Sequence, residues 1–173
     1  SPESVIRTIL IGQNYFKNEF GVKSYDIFLP DCFGFGYALP TIMRHCGLSG
    51  FSTQKLTWGA PFGVPFDIGT WTGVDGSRVF AGLNAGSYGA HLRGDLSKDP
   101  KWNATVDKTG EKSGIYLGYR YFGTGDVGGA PEDSSVYYLE KAIHSDGPLK
   151  VISAPADLMA RQMTPEMLDK LPQ

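Results

Sequence analysis

The spacing of apolar residues at the start of the chain predicts an α-helix. These residues recur four or seven positions apart, as one face of a helix requires; they are Val5, Ile9, Phe16 and Phe20. Ser1 and Pro2 resemble an N-cap followed by the proline that is favoured at the first helical position. Gly21 is a natural helix end. We therefore predict a helix between Ser1 and Gly21.

Short apolar runs and a second helical pattern follow. The run Tyr25–Leu29 predicts a strand that ends at Pro30, and a loop over Asp31–Gly36 leads into a helix over roughly Ala38–Cys46. Phe51–Thr53 predicts another short strand. Helices that alternate with strands in this way indicate an α/β fold.

The second half of the chain is less regular at first and then alternates again. The stretch from about Trp58 to Trp102 is dense in glycine and proline, and within it we predict a short extended piece at Phe66–Trp71. The later predicted elements are strands at Gly114–Phe122 and Leu149–Ser153, a helix at Ser134–Ile143 between them, and a last helix that opens at Thr164.

The organisation of the chain predicts one domain over residues 1–173. A chain of 173 residues is long enough to bury a sizeable core. We find no linker and no internal repeat. Because the chain begins on a helix cap and stops just after a short helix, we expect it to be a truncated piece of a larger catalytic domain.

Composition and charge exclude some classes of partner. Sixteen basic and eighteen acidic residues give a net charge of −2 without a basic cluster, which argues against nucleic acid as the main partner. No apolar run approaches the roughly 20 residues of a membrane span. The 23 glycines and many aromatic residues suit a pocket that stacks on sugar rings, but they suit an ordinary core equally well. Cys32 and Cys46 lack metal-type spacing, and free thiols are the default interpretation.

Two aspartates follow predicted strands. Asp31 comes directly after the strand Tyr25–Leu29, and Asp126 comes after the strand Gly114–Phe122. In α/β folds, ligands bind outside the carboxyl ends of the strands. Two carboxylates that face one cleft are the minimum equipment for cleavage of a glycosidic bond. Each aspartate alone could equally be a turn or cap residue.

The loop that carries Asp126 also matches a different motif. Residues Gly123–Gly128 fit the pattern G-x-G-x-x-G between a predicted strand and a predicted helix, as a dinucleotide-binding site requires. Asp126 would place a negative charge beside the pyrophosphate, where positive potential is needed. Leu149–Ser153 also lacks the acidic residue that grips the ribose. A dinucleotide-binding domain is therefore the weakest of our hypotheses.

Several stretches, in order along the chain, resemble one enzyme family. They are Pro2–Arg7 with Glu19–Gly21, Leu29–Gly34, Phe51–Trp58, Trp71–Val79 (Trp-Thr-Gly-Val-Asp-Gly-Ser-Arg-Val) and the glycine loop Gly123–Pro131. Together they are similar to the α-mannosidases of glycoside hydrolase family 38, particularly the bacterial-type branch.

The resemblance implies a fold and a mechanism. The fold would be part of a distorted α/β barrel, and the enzyme would be a retaining α-mannosidase that uses zinc. Asp31 would be the nucleophile and a zinc ligand, and Asp126 would be the acid/base. Phe33, Trp71 and Asp75 would contact the substrate. The expected partners are a mannose-containing glycan and the rest of the parent polypeptide.

Departures from the family pattern limit these expectations. The further zinc ligands of the family, a His-x-Asp pair upstream and a histidine downstream, are not in this chain, and His45, His91 and His144 lack ligand spacing. We therefore expect the fragment alone to be inactive. Gly59 replaces a frequent asparagine, and Ala81-Gly82 lacks a frequent histidine, which bears on substrate preference. A non-catalytic carbohydrate-binding relative is the main alternative, and the sequence does not determine the compartment.

Overall fold

A computed structural model describes residues 1–58 and 63–173 of the chain. The helices are α1 (Pro2–Phe20), α2 (Leu39–His45), α3 (Pro100–Ser113), α4 (Asp133–Ile143), α5 (Leu158–Gln162) and α6 (Pro165–Lys170). The strands are β1 (Asp26–Phe28), β2 (Gly50–Ser52), β3 (Ile68–Thr72) and β4 (Arg78–Gly82), and 3-10 turns lie at Lys55–Thr57 and Leu96–Lys98. Gly59, one departure from the family pattern, lies outside the described residues.

The predicted first helix is confirmed together with both of its caps. The Ser1 hydroxyl accepts a hydrogen bond from the Ser4 amide at 3.3 Å. Gly21 adopts a left-handed conformation, and its amide donates to the Lys17 carbonyl at 3.1 Å. The predicted strand before Pro30 and the second helix are also confirmed, as β1 and α2.

The strands form an open sheet in the order β1-β2-β4-β3. β1, β2 and β4 are parallel, with Asp26 opposite Gly50 and Gly50 opposite Phe80. β3 is antiparallel to β4 and joins it through a hairpin. The α/β class is therefore confirmed. The four strands within the described ranges do not close into a barrel, so the distorted barrel stays a prediction for the larger protein.

One face of the sheet packs on an apolar core. Because side chains alternate along a strand, Phe51 of β2 and Val79 of β4 point to the same face, where they meet Met43 of α2. The Phe51 ring lies 4.7 Å from the Phe35 ring and 5.0 Å from the Trp71 ring, both edge-on. This aromatic group fastens the loop after Asp31 to the sheet.

The opposite face of the sheet is covered by the segment that we predict as a strand at Gly114–Phe122, and that prediction is wrong. The segment forms no ladder with another strand. Its alternating residues Ile115, Leu117 and Tyr119 instead pack on this face beside Phe80 of β4. Period-two alternation indicates an extended chain with one buried side, and here that side is buried against a sheet face rather than within a sheet.

The other predictions for the second half are mixed. The helices at Ser134–Ile143 and after Thr164 are confirmed as α4 and α6, and the extended piece at Phe66–Trp71 is confirmed in part as β3. Leu149–Ser153 is not a strand, and Ile152 within it is largely exposed. The additional elements that the pattern does not predict are β4, α3 and α5.

Two further expectations concern membranes and thiols. Within the described ranges, none of the helices has the length and apolar character needed to span a bilayer. Cys32 and Cys46 are both free thiols, and each is half-buried.

We expect Phe51→Ala to lower the free energy of unfolding by about 3–5 kcal/mol, because truncation leaves a cavity between the rings of Phe35 and Trp71. Urea denaturation measures this change. Phe20→Ala is the matched control, since Phe20 is exposed at the end of α1. Equal losses from the two substitutions would contradict the placement of Phe51 at the centre of this core.

Candidate active site

Asp31 lies just beyond the carboxyl end of β1. Pairing with β2 continues past the strand: the Leu29 amide donates to the Ser52 carbonyl at 3.0 Å, and the Thr53 hydroxyl donates to the Leu29 carbonyl at 2.7 Å. These bonds hold the chain up to Pro30 and present the Asp31 side chain at the edge of the sheet, where 56% of it is exposed. The carboxylate is thus fixed at its base and open to a ligand.

Lys55 lies beside Asp31 at the same edge. It begins the 3-10 turn after β2, and its side chain is only 9% exposed. The Lys55 ammonium lies 3.3 Å from an Asp31 carboxylate oxygen and 3.5 Å from the centre of the Trp58 ring. A buried ammonium needs a counter-charge or an aromatic face, and Lys55 has both. The Lys55 ammonium therefore fixes the orientation of the Asp31 carboxylate by pairing with one of its oxygens.

Asp126 lies in the glycine loop in a strained conformation. Its φ is +66°, and it is the single residue other than glycine with positive φ among the described residues. The loop packs against Tyr88 and Gly89: a Cβ added to Gly125 would lie 2.6 Å from the Tyr88 ring. The Gly123 amide also donates to the Ala90 carbonyl at 3.0 Å. The glycines thus allow the loop to bring Asp126 against Tyr88.

Tyr88 connects the two aspartates. Its hydroxyl donates to an Asp126 carboxylate oxygen at 2.9 Å. This bond to Asp126, with burial and the charges of Asp126 and Asp31, raises the pKa of Tyr88 to about 12. The Lys55 ammonium, which lies 3.3 Å from Asp31, is also 5.1 Å from the centre of the Tyr88 ring, so Tyr88 and Lys55 together link the two carboxylates. The structure brings the two predicted catalytic residues together at one edge of the sheet.

Two exposed aromatic rings border this group. Phe33 and Trp58 are 70% and 62% exposed, and their rings meet edge-on at 6.2 Å. The Lys55 ammonium lies near both rings. Exposed aromatic faces beside paired carboxylates can stack on the apolar faces of a sugar ring. Phe33, a predicted substrate contact, thus lies within the same group.

The structure does not bring Trp71 or Asp75 to this group. The Trp71 ring packs in the apolar core against Phe51. Asp75 lies in the hairpin between β3 and β4, and because β4 is parallel to β1, this hairpin is at the opposite edge from Asp31. Contacts of Trp71 and Asp75 with substrate stay a prediction. Within this chain, the two residues stabilise the sheet and its hairpin.

Asp75 fastens its hairpin to α2. Its carboxylate accepts hydrogen bonds from the Thr41 hydroxyl at 2.7 Å and from the Ser77 hydroxyl at 2.8 Å, and it lies 3.0 Å from the His45 ring. The bond from Thr41, followed by those from Ser77 and His45, holds the pKa of Asp75 well below its usual range. This set of partners explains why an aspartate occupies the turn.

The described residues do not form a zinc site by themselves. No group of three His, Cys, Asp or Glu side chains with metal-binding geometry is found within residues 1–58 and 63–173. His45 lies beside Asp75 at the far edge, and His91 lies 3.2 Å from Glu132.

The motif for a dinucleotide site loses its structural context. The loop Gly123–Gly128 precedes α4 but does not follow a strand, because the segment before it forms no ladder. Asp126 points to Tyr88 instead of leaving the loop open to an anion. The loop therefore positions the Asp126 carboxylate.

Sequence reasoning missed three members of the group, Lys55, Trp58 and Tyr88. Lys55 carried a usable signal: it follows β2 as Asp31 follows β1, and parallel strands end at the same edge of a sheet. Tyr88 carried none, because it lies in the irregular stretch between β4 and α3. Its place depends on the approach of the glycine loop, which is far away in sequence.

An α/β fold with the Asp31 and Asp126 carboxylates near Lys55 and Tyr88 is compatible with glycoside hydrolysis, and comparisons with known proteins show the family. The family described as "Glycosyl hydrolases family 38 N-terminal domain" matches residues 1–157. The chain belongs to glycoside hydrolase family 38, in its N-terminal domain.

Individual relatives of the chain are named alpha-mannosidases. The chain is 37% identical to mouse alpha-mannosidase 2C1 over 160 residues, which are 91% of this chain and 15% of that protein. It is 34% identical to an alpha-mannosidase of Saccharomyces cerevisiae over 143 residues, 82% of this chain and 13% of that protein. The chain thus spans about one seventh of the curated relatives that it matches.

A solved structure shares the fold. The crystal structure of an alpha-mannosidase from Enterococcus faecalis superposes on the whole of this chain with a TM-score of 0.63 and 18% identity, over 19% of that protein. At this identity the likeness concerns the fold alone. The fold of the chain is therefore that of a segment of a larger protein.

We expect Asp126→Asn to lower the pKa of Tyr88 from about 12 toward the ordinary value near 10, because the hydrogen bond to Asp126 is the largest cause of the shift and the charge of Asp126 adds to it. NMR titration of ring-labelled tyrosine measures this, with Tyr88→Phe to assign the resonance. Asp133→Asn, an exposed aspartate at the start of α4, is the control and should leave the Tyr88 pKa in place. An unchanged pKa in Asp126→Asn would contradict the observed contact.

Proposed function

We propose that the whole protein is a retaining α-mannosidase that hydrolyses α-mannosidic bonds in glycans or mannosides, and that this chain supplies both catalytic carboxylates. Membership of glycoside hydrolase family 38 supports the reaction class. The observation that carries the proposal is the position of Tyr88, whose hydroxyl contacts Asp126 and whose ring lies 5.1 Å from the Lys55 ammonium that pairs with Asp31. Two carboxylates around one sugar-sized space are what glycoside hydrolysis requires.

Asp31 is the proposed nucleophile. Its carboxylate is exposed for attack on the anomeric carbon, while its backbone is fixed by the continued pairing of β1 with β2. The ammonium of Lys55, at 3.3 Å, occupies one side of the carboxylate and leaves the exposed side for the sugar. Such fixed orientation lowers the entropic cost of reaching the transition state.

Asp126 is the proposed acid and base. It would protonate the leaving oxygen first and then activate the water that hydrolyses the glycosyl-enzyme. The Tyr88 hydroxyl, held protonated, donates to one oxygen of Asp126 and leaves the other for the substrate. A retaining reaction requires the carboxyl groups to be about 5–5.5 Å apart, and one phenol near both is compatible with such a separation.

The sugar platform and the zinc complete the proposal. Phe33 and Trp58 present exposed rings at the same edge and would stack on the mannose. The zinc that the family resemblance implies would act as a Lewis acid and template. In this chain Asp31 is its proposed ligand, and the other ligands must come from other parts of the polypeptide.

We expect Asp31→Ala in the whole protein to reduce turnover of an aryl α-mannoside by at least about 1,000-fold, because no other carboxylate replaces the nucleophile. Bound zinc, measured by elemental analysis, should fall in the same variant. Asp107→Asn, an exposed aspartate of α3, is the control and should keep both properties. Full activity in Asp31→Ala would contradict Asp31 as the nucleophile, whereas a wild type that binds mannosides without turnover would favour the non-catalytic carbohydrate-binding relative.

We expect Asp126→Ala to slow substrates with poor leaving groups far more than those with good ones, since only the former need a proton from the acid. Steady-state kcat/KM for alkyl and dinitrophenyl α-mannosides measures the difference. Equal losses for the two substrates would contradict Asp126 as the acid. A first-formed product of inverted configuration, detected by NMR, would contradict retention.

A further inference from the structure

A small cavity lies beside β1, on the face of the sheet that the segment after α3 covers. It is lined by Asp26 of β1, Ser52 of β2 and Tyr119, together with apolar residues of β4 and α5. About 10 Å³ of its space is open to the centres of water molecules, which is room for roughly one water. Tyr121 adjoins it, since its ring lies 5.3 Å from that of Tyr119.

Two glycines let α5 and Tyr119 lie close to the sheet beside this cavity. Gly50, opposite Asp26 in the sheet, could not carry a side chain, because an added Cβ would lie 2.3 Å from the Ala160 Cβ. An added Cβ at Gly82 would lie 1.8 Å from the Tyr119 hydroxyl oxygen. The phenol therefore reaches over the sheet only because Gly82 lacks a side chain.

Four oxygen atoms in or beside the cavity are buried and lack a hydrogen bond of regular geometry among residues 1–58 and 63–173, although the Tyr121 hydroxyl lies near those of Ser52 and Tyr119. The four atoms are Asp26 Oδ2, Ser52 Oγ, Tyr119 Oη and Tyr121 Oη. Buried polar atoms are nearly always paired, because a polar group taken out of water without a partner is costly. Four such atoms around one cavity indicate a shared small polar ligand.

The charges around the cavity do not compensate an ionised Asp26. The nearest influential charge is another carboxylate, Asp157, which precedes α5 and already lies 3.4 Å from Arg161. Burial, with the charge of Asp157, raises the pKa of Asp26 to about 6, against opposition from its own backbone hydrogen bond. Burial also raises the pKa of Tyr119 and that of Tyr121. The groups that face Asp26 are thus neutral phenols and one competing carboxylate.

We propose that the cavity binds a single ordered water molecule, shared by Asp26, Ser52 and the tyrosine hydroxyls. A neutral carboxyl donates one hydrogen bond, and a water both donates two and accepts two. Such a water satisfies the orphaned oxygens without a buried charge. It also ties β1, which leads to Asp31, to the segment that leads to the Asp126 loop.

This arrangement makes the stability of the region depend on pH. Below the ordinary aspartate pKa of 3.8, Asp26 is protonated in both the folded and the unfolded chain, and its contribution is fully present. Between pH 3.8 and about 6 the unfolded chain releases the proton while the folded chain keeps it, so the folded state loses stability as pH rises. Above about pH 6 the loss is complete.

The first test is a high-resolution crystal structure of the whole protein at pH 5. We expect one density peak within hydrogen-bond distance, about 2.6–3.2 Å, of Asp26, Ser52 and at least one tyrosine hydroxyl. An empty cavity would overturn the proposal. A peak with the shorter oxygen distances of a metal cation would overturn it as well. This result does not depend on whether the protein is an α-mannosidase.

The second test compares the wild type with Asp26→Asn between pH 3.5 and 7. Amide hydrogen exchange of residues 115–121, measured by mass spectrometry, reports the local opening equilibrium. We expect the wild type to open more readily relative to Asp26→Asn as pH rises, by roughly 10- to 100-fold across the window. Asp107→Asn, an exposed aspartate, should show the wild-type dependence. A constant ratio between wild type and Asp26→Asn would overturn the proposal.

Discussion

The parallel pairing of β1 with β2 is the constraint on which the candidate site depends. Since parallel strands end at one edge, this pairing places the residues after both strands side by side. Asp31 and Lys55 meet for this reason, and the bonds from the Leu29 amide to Ser52 and from the Thr53 hydroxyl to Leu29 extend the pairing beyond the strands. A shift of one residue would turn Ile27 and Phe51 out of the core, so the apolar packing also fixes the position of the carboxylate.

The second carboxylate depends on backbone conformation and not on a strand. Asp126 adopts a left-handed conformation that aspartate tolerates better than most residues. Gly125 permits close contact with the Tyr88 ring, and the ring hydroxyl then bonds to Asp126. Strain of this kind persists only where neighbouring contacts determine it, and functional sites are where it is commonly found. The conformation of the Asp126 loop and that of the irregular stretch before α3, which carries Tyr88, thus depend on each other.

Much of the fold could be predicted from local patterns. The caps of α1 and the apolar run before Pro30 were sufficient to predict α1 and β1, because each signal acts within a few residues of the chain. The same signals were present for α3, where the Asp99 side chain caps the helix before Pro100 and Gly114 ends it. The failure at Gly114–Phe122 is different in kind, because alternation does not say whether a chain pairs with a strand or lies across a sheet.

The candidate site could be predicted only in part, for a related physical reason. Asp31 follows from position and family resemblance, but Tyr88 depends on two loops that meet far apart in sequence. Conversely, Asp75 shares a motif with Trp71, yet the antiparallel turn of β3 into β4 carries it to the far edge. Sequence order is thus a poor guide to which end of a sheet a residue occupies.

The two faces of the sheet stabilise it by different means. The face with Phe51 is apolar throughout, whereas the face with Asp26 buries oxygen atoms that need partners. A buried polar group that is satisfied specifies one arrangement more narrowly than apolar packing does, and one that is unsatisfied weakens the fold. The segment bearing Tyr119 and Tyr121 forms no ladder, so its position over the sheet depends on this polar contact as well as on Ile115 and Leu117. The same segment continues into the Asp126 loop. Order in the cavity beside Asp26 therefore helps to determine how closely the Asp126 carboxylate approaches that of Asp31.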